Sequence, residues 1–301
     1  MERSVATKRR GDPSRVALLL LAPAIMVMVL LLALPVLLSI ALSFTDATLS
    51  AGALNTTFSG FSNYVELLWD KSVWRAVLNT LYFAVVEVLG VLVLGMLAAL
   101  LLNNPRSRWS GFRVLLLLPW AIAPVASAVL WKWILHANYG VLNQLLKWIG
   151  VIDENVMWLG EGFRALNVIV AVDVWKSTPF ITILLLAALQ GIPSSLYRAA
   201  RMDGASAWDR FRYITLPSLR TAIAIAVVLQ TIWSLRAFDL IYILTKGGPA
   251  DGTVVMNFHA YRVTFNFLKF GYGAAIANVL FIATFLLAAV YIRLMKVGEH
   301  R

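Results

Sequence analysis

The stretch LYFAVVEVLGVLVLGMLAALLL, residues 81–102, decides the fold class. It carries a single charged side chain, Glu87, and is otherwise almost entirely apolar. A helix rises about 1.5 Å per residue, so this run is long enough to cross a hydrocarbon core about 30 Å thick. A helix on the surface of a soluble domain would keep a polar face, and this one has none. The stretch therefore predicts a membrane-spanning helix.

Five further stretches have the same character, and the chain is predicted to be an all-α integral membrane protein with six transmembrane helices. The others are Val16–Leu42, Val114–Ile134, Ala165–Leu189, Thr221–Leu244 and Ala274–Leu294. The composition agrees, because 60% of the 301 residues are hydrophobic and 14% are charged, whereas soluble domains have about 25% charged residues. The first run follows a basic head but is about twice as long as a signal-peptide core, so we expect it to be retained.

The distribution of Lys and Arg predicts the orientation. Sixteen of these residues lie in the N-terminal head 1–15, the loops 103–113 and 190–220, and the C-terminal end, whereas the loops on the other side hold seven. The positive-inside rule then places both termini in the cytoplasm, as an even number of spans requires. Residues 16–301 are expected to form a single transmembrane domain. The same bias accounts for the net charge of +11, so no nucleic-acid partner is expected.

Missing motifs exclude several functions. The sequence has no cysteine, and its three histidines (His136, His259 and His300) are scattered without the spacing of metal ligands. It contains no Ser/His/Asp set, so a membrane-embedded enzyme has little support. It also lacks the G-x-x-x-x-G-K-[ST] phosphate loop. The chain is therefore not expected to bind ATP, a metal or another cofactor itself.

The connection GIPSSLYRAARMDGASAWDRFRYITLPSLR, residues 191–220, predicts two short helices around a tight turn. Ser195 is a candidate N-cap, Asp203-Gly204 is a turn signal, and the second helix is predicted to run from near Ser206 to Leu216-Pro217. Small residues leave one edge without bulk beside Tyr197, Met202, Trp208 and Phe211. Such an edge suits docking into another protein's groove. A loop that rests on the membrane surface is the alternative.

This loop resembles the EAA loop of ABC-importer permeases, whose pattern is roughly E-A-A-x-x-D-G-A followed by x-x-W-x-x-F-x-x-I-x-L-P. The residues that match in register are Ala199, Ala200, Asp203, Gly204, Ala205, Trp208, Phe211, Ile214, Leu216 and Pro217. The resemblance implies that the first helix docks into an ATP-binding subunit. The implied docking residues are Tyr197, Arg198, Ala199, Ala200, Asp203, Gly204, Ala205, Trp208 and Phe211.

One position departs from that pattern, because Arg198 stands where the leading glutamate is usual. If Ser195 caps the helix, residue 198 is the third helical residue, where a glutamate would complete a capping box and an arginine cannot. The arginine also inverts a charge at the implied interface. We therefore expect an acidic group in the partner's groove.

Two further segments narrow the resemblance. WSLRAFDLIYILTKGGPADGT, residues 233–253, and YRVTFNFLKFGYGAA, residues 261–275, are similar to segments of carbohydrate permeases of the maltose and glycerol-3-phosphate class. The resemblance implies a type I ABC importer permease in the bacterial inner membrane, forming half of the pathway for a sugar, either a disaccharide such as trehalose or maltose or a related solute. The implied partners are membrane lipid, a second and different permease subunit, two ATP-binding subunits that hold ATP and Mg, and an external sugar-binding protein.

Polar side chains inside the spans are candidates for the substrate pathway, because charges in lipid are costly and are retained for function. They are Glu87, Asp173, Lys176, Gln230, Trp233, Arg236, Asp239 and Asn278. Two interpretations stay open. The i,i+3 pairs Asp173–Lys176 and Arg236–Asp239 either neutralise themselves or line a water-accessible cavity that is open to the outside.

Two further alternatives stay open, one for the role of Asn278 and one for the function of the protein. Asn278 suits a helix–helix hydrogen bond as well as a contact in the pathway. A self-contained secondary transporter is the alternative function, and Glu87 would be its only relay residue.

Overall fold

The computed structural model describes residues 13–50, 52–103 and 113–299, and these are mostly helical. A short hairpin pairs β1 (Thr48–Ser50) with β2 (Ala53–Asn55). The helices are α1 Pro13–Met28, α2 Leu34–Ser43, α3 Ser62–Trp69, α4 Lys71–Leu102, α5 Arg113–Ala121, α6 Pro124–Ile134, α7 Val141–Trp148, α8 Gly162–Gln190, α9 Ser194–Met202, α10 Ala207–Arg210, α11 Leu216–Ser218, α12 Arg220–Leu235, α13 Asp239–Leu244, α14 Met256–Tyr261 and α15 Phe270–Glu299.

Five helical segments among the described residues are long and apolar enough to cross a membrane. They are Leu20–Ser43, Lys71–Leu102, Gly162–Gln190, Arg220–Leu244 and Phe270–Tyr291. Each overlaps one of the predicted spans. The parts of the predicted topology at residues 1–12 and 104–112 lie outside the described residues.

The prediction of one continuous helix over Val114–Ile134 is wrong, because this segment is broken into α5 and α6 at Ile122 and Ala123. Ala123 is extended, with φ −55° and ψ 140°, and Pro124 follows it as the first residue of α6. A proline has no N–H to donate and disfavours the helical conformation in the residue before it. The break therefore follows from Pro124, and this predicted span is an interrupted segment rather than one continuous helix.

The core of the domain is the pair α4 and α8, against which α12 and α5 pack. Glycines allow α4 and α8 to approach closely. A Cβ atom on Gly90 would lie 2.9 Å from Val174 Cγ2, and one on Gly95 would lie 3.1 Å from Ile181 Cγ2. Small residues at crossings are the usual means by which membrane helices pack, since lipid provides no hydrophobic drive between them.

The first span runs through α1, a π-helical turn at Val29–Ala33, and α2. Its window of highest hydropathy contains no buried residue. Helix α2 packs mainly against α15, and Ser43 at its end also contacts α3, where its Oγ is 2.7 Å from the hydroxyl of Tyr64. This span therefore presents most of its apolar surface outward, as expected for a helix surrounded by lipid or by another subunit.

Helices α2, α12 and α15 each have one end on the side of the domain away from α9. The loops at these ends form a compact polar layer around the start of α4. The side chain of Asn79 donates to the carbonyl of Val254 at 2.9 Å, and the hydroxyl of Thr80 accepts from the N–H of Met256 at 2.8 Å. Arg262 and Asp251 form an ion pair at 2.5 Å. The short helix α3 packs against α15 beside these loops. These contacts fix the segment between α13 and α15 against α4.

Candidate functional site

A cavity of about 430 Å³ lies between α5, α6, α8, α12 and α13. Six of the eight predicted pathway residues line it: Asp173, Lys176, Gln230, Trp233, Arg236 and Asp239. The other lining residues are Trp120, Pro124, Ser177, Ala237, Phe238 and Leu240. Gln230, Trp233 and Ala237 all line this one space.

The backbone helps to form the cavity because the fifth span is interrupted inside it. Helix α12 ends at Leu235, α13 begins at Asp239, and residues 236–238 between them are not helical. The carbonyl freed at Arg236 accepts from the side-chain amide of Asn257 at 2.9 Å. Irregular backbone at membrane depth is tolerated where it lines a polar cavity or is covered by protein. Because of the interruption, these residues form part of the cavity wall: Arg236, Ala237, Phe238 and Asp239.

The charged residues of the cavity do not pair with one another. Among the described residues, the ion pairs within 4.0 Å are Arg164–Glu161 and Arg262–Asp251, and both lie outside the cavity. Within this part of the chain, neither Asp173–Lys176 nor Arg236–Asp239 is joined by an i,i+3 ion pair within 4.0 Å. Two carboxylates and two cations instead face one space, where each can bind a polar ligand.

Aromatic rings form one wall of the cavity. Phe180 of α8 lies edge-on to Trp233, with ring centroids 5.2 Å apart, and stacks with Trp120 of α5 at 5.6 Å. Trp233 remains 41% exposed, so part of its indole face is available to a ligand. The sequence pattern did not identify Trp120 or Ser177 as residues of this site.

The two remaining pathway candidates lie outside the lining. Glu87 of α4 is fully buried and accepts a hydrogen bond from the side-chain amide of Gln230. Asn278 of α15 exchanges hydrogen bonds with Ser39 of α2, at 3.3 Å from Ser39 Oγ to its Oδ1 and 3.3 Å from its Nδ2 to the Ser39 carbonyl. Asn278 thus makes the helix–helix contact that was its alternative interpretation, and it is not part of the cavity wall.

A second cavity, of about 630 Å³, lies between α4, α5 and α8. Its lining includes Val86, Gly90, Leu94, Val170, Val174 and Trp175 and is mostly apolar. None of its lining residues is charged, and Asn167 and Thr178 are polar. The smaller cavity, with four charged side chains in its lining, is therefore the better candidate for binding a polar ligand.

The predicted docking loop projects as a separate feature at the end of α8. Helix α9 has no buried residue, and Met202 at its end is 88% exposed. Gly204 has φ +77° and closes the helix in a Schellman motif, in which Ala205 N–H donates to Ala200 at 2.9 Å and Gly204 N–H donates to Arg201 at 3.2 Å. The predicted turn at Asp203-Gly204 is confirmed. The chain therefore reverses direction tightly at the end of α9.

Hydrogen bonds hold the second half of the docking loop, from Ser206 onward, against α9 and the turn that follows it. Ser206 and Asp209 form a capping box at the start of α10, as expected for a helix that begins near Ser206. The hydroxyls of Tyr197 and Thr215 are 2.8 Å apart, and Arg210 Nη1 donates to the carbonyl of Ala205 at 2.6 Å. The predicted cap by Ser195 is wrong. Helix α9 starts at Ser194 after the extended Pro193, and no side chain caps it.

Comparison with known proteins gives concordant matches. Residues 91–299 match the family model described as binding-protein-dependent transport system inner membrane component. The chain is 37% identical over 283 residues to the sulfoquinovosyl glycerol transport system permease of Agrobacterium fabrum, covering 94% of this chain and 91% of that one. It is 36% identical over 302 residues to the trehalose/maltose transport system permease of Thermococcus litoralis, covering 100% and 99%.

A solved structure shows the same fold. It is the crystal structure of a bacterial alginate ABC transporter in complex with an alginate pentasaccharide-bound periplasmic protein. One of its chains matches with a TM-score of 0.77 and 24% identity over 93% of each chain. The chain therefore has a fold that is also found in a solved ABC transporter.

Proposed function

Since the chain belongs to the family of binding-protein-dependent transport system inner membrane components, as a permease subunit of a sugar ABC importer, we propose that it forms half of the pathway for a disaccharide such as trehalose or maltose. Its relatives are permease subunits of inner-membrane transport systems rather than enzymes. The observation that carries the proposal is the single cavity lined by six polar or aromatic side chains predicted for the pathway.

The chemistry of the cavity supports a neutral, hydroxyl-rich solute. Its volume of about 430 Å³ is within the range of about 300–1,000 Å³ for small-molecule sites. Asp173 and Asp239 balance Lys176 and Arg236, so a ligand need not carry charge. Carboxylates accept from sugar hydroxyls, cations donate to them, and the Trp233 face can stack on a sugar ring. The trehalose/maltose relative supports the choice of a disaccharide.

The exposed loop supports coupling to an ATP-binding subunit through α9 and the turn at Gly204. We infer that the transporter contains a second, different permease, two ATP-binding subunits that bind ATP and Mg, and an external sugar-binding protein. In this arrangement both termini lie in the cytoplasm, and the cavity opens to the outside in one state of the cycle. A secondary transporter would have no use for a rigid, exposed docking helix.

The test is ATP hydrolysis by the purified complex in proteoliposomes with the external binding protein. Trehalose, maltose, lactose, sulfoquinovosyl glycerol and an alginate oligosaccharide would be compared. We expect stimulation by trehalose or maltose and uptake that stops without ATP. Stimulation by an acidic solute alone would overturn the choice of substrate. Uptake by liposomes that contain only this chain would overturn the importer itself.

A further inference from the structure

The short helix α3 has three different faces. Asn63 and Leu67, one turn apart, are 6% and 7% exposed and face the protein. Ser62 and Glu66 form a second, polar face that is exposed. The third face is apolar and equally exposed, and its members are Phe61, just before the helix, Val65, Leu68 and Trp69. At about 100° per residue these three sets occupy separate stripes of the helix.

An amphipathic helix on a soluble domain needs only two faces, one packed on the core and one polar. The apolar face of α3 does not fit that scheme, because Val65 is 54% exposed and Trp69 is 82% exposed. A helix with a protein side, a water side and an exposed apolar side fits a place where protein, water and lipid meet.

The position of α3 along the first span gives its depth. Asn63 Nδ2 donates to the carbonyls of Ser43 and Thr45 at 2.8 Å and 2.9 Å, and the hydroxyl of Tyr64 lies 2.7 Å from Ser43 Oγ. Ser43 is the last residue of the first span. Helix α3 is therefore held at the level where this span ends, on the side of the domain away from α9.

The apolar face of α3 joins the outward surfaces of two spans. On one side Phe61 lies edge-on to Phe44, next to α2, with ring centroids 5.2 Å apart. On the other side Trp74 Nε1 donates to the carbonyl of Leu68 at 2.9 Å. Trp74 is exposed and begins an exposed apolar stripe along α4, which continues with Leu78, Leu81, Val85 and Leu89. The face of α3 thus extends a surface that already belongs to membrane-spanning helices.

Lipid covers such a face better than a soluble protein does. A protein that docks and leaves would return four large apolar side chains to water in every cycle, and contiguous exposed apolar surface is unfavourable there. Lipid covers the face throughout. Phe61 and Trp69 also suit this level, because aromatic side chains, tryptophan above all, favour the membrane–water interface.

We propose that α3 is an interfacial helix that lies in the membrane surface away from α9, with Val65, Leu68 and Trp69 among the lipids and Glu66 directed to water. Asn63 ties this helix to the end of α2, and Trp74 ties it to the start of α4. Lipid contact at α3 therefore holds the ends of the first two spans at a fixed depth. The inference is independent of the transported solute, since it uses only the spans and their ends.

The test places single cysteines on the faces of α3, which is possible because the chain has no cysteine of its own. Val65→Cys, Leu68→Cys and Glu66→Cys would be labelled with a small fluorophore in the complete transporter, whose other subunits also lack cysteine. The side chains replaced are exposed, so packing is retained. In proteoliposomes each label would meet two quenchers, a phospholipid with a nitroxide near its headgroup and iodide on both sides of the membrane.

We expect the nitroxide lipid to quench the labels at Val65→Cys and Leu68→Cys more strongly than iodide does. The order should reverse at the neighbouring Glu66→Cys, which serves as the matched control. Quenching of the Val65→Cys and Leu68→Cys labels mainly by iodide would overturn the inference, because the face would then lie in water. Protection of both labels from both quenchers would also overturn it and would show that another subunit covers the face. Identical quenching at Val65→Cys and Glu66→Cys would leave α3 without a membrane side and contradict it as well.

Discussion

The guanidinium of Arg198 donates to the hydroxyl of Ser194, one turn earlier in α9, at 2.9 Å. Ser194 is the first residue of the helix, so Arg198 is its fifth and not its third. A glutamate at this position could not complete a capping box. The arginine therefore costs the helix no capping interaction. Arg198 and Arg201 are the only charged residues of α9, and both are exposed.

This arrangement predicts charge-dependent docking of the ATP-binding subunit. Arg198→Glu should weaken co-purification of that subunit about tenfold at low salt, because it repels an acidic groove. Arg198→Gln should have a smaller effect, and added salt should reduce the difference between the two variants. Equal association of wild type and Arg198→Glu at every salt concentration would mean that the groove carries no acid near this residue.

Trp233 tests the aromatic wall of the cavity. Trp233→Ala should lower the efficiency of sugar uptake by about three- to tenfold, the value expected for the loss of one stacking contact. Assembly with the ATP-binding subunit should remain intact because the residue is far along the span from α9. Trp148→Ala is the control, since Trp148 is 83% exposed and lies outside the cavity. Normal uptake by Trp233→Ala would make Trp233 a packing residue only.

The long helices could be predicted from the sequence because each needs about twenty apolar residues, and such runs are visible without tertiary information. The break between α5 and α6 is also encoded in the sequence, because Pro124 disfavours the helical conformation in the residue before it. The break at residues 236–238 has neither proline nor glycine. It depends on Asn257, a residue distant in the sequence, whose side-chain amide donates a hydrogen bond to the free carbonyl of Arg236.

The same distinction applies to the cavity. Asp173, Lys176, Arg236 and Asp239 could be found because charges are conspicuous inside a span. Their common location could not be found, since one helix's periodicity does not show which face meets another helix. Ser177 and Phe180 are ordinary residues for a membrane helix, and only the packing of α8 against α5 and α12 makes them neighbours of Trp233 and Gln230.

The orientation can be tested directly because the chain has no cysteine. Glu154→Cys, in the exposed loop between α7 and α8, should react with a membrane-impermeant thiol reagent in intact cells whose outer barrier has been opened. Ser195→Cys, on exposed α9, should react only after the inner membrane is permeabilised. Labelling of both variants after denaturation controls for expression. Reaction of Ser195→Cys alone in intact cells would reverse the topology.

His259 predicts a pH dependence of stability in the polar layer. Its Nδ1 accepts from Arg262 Nη2 at 3.5 Å and its Nε2 lies 3.3 Å from Ser72 Oγ, contacts that suit a neutral imidazole. Burial lowers the pKa of His259, and the charge of Arg262 lowers it further, although Asp70 and Asp251 oppose this. As the pH falls below the ordinary value of about 6.5, the unfolded chain therefore takes up a proton that the folded chain resists.

The melting temperature of the purified complex should accordingly fall between pH 7.5 and pH 5.5. The loss from this one group is at most about 1.4 kcal/mol per pH unit. In His259→Gln the group that titrates is absent, so the slope should be shallower even if the variant is less stable at every pH. Parallel slopes for the two proteins would show that His259 does not contribute.

Gly204 provides the sharpest test of the docking loop. Its φ of +77° is unfavourable for a β-branched residue, and no atom lies within 4 Å of the position that a Cβ would take. Gly204→Val should therefore strain the Schellman turn by about 1–2 kcal/mol without a clash inside the chain. Gly150→Val is the matched control, because Gly150 has φ +71° and equally open surroundings in the loop after α7.

Both variants should insert into the membrane, since neither glycine lies in a span. Gly204→Val should lose the ATP-binding subunit on purification and lose uptake with it, because the turn no longer presents α9 to the groove. Asp203→Arg, next to it and exposed, should act in the same direction without backbone strain. Gly150→Val should keep both association and uptake. If Gly204→Val and Asp203→Arg behave like Gly150→Val, the loop rests on the membrane surface and does not transmit the force of ATP binding.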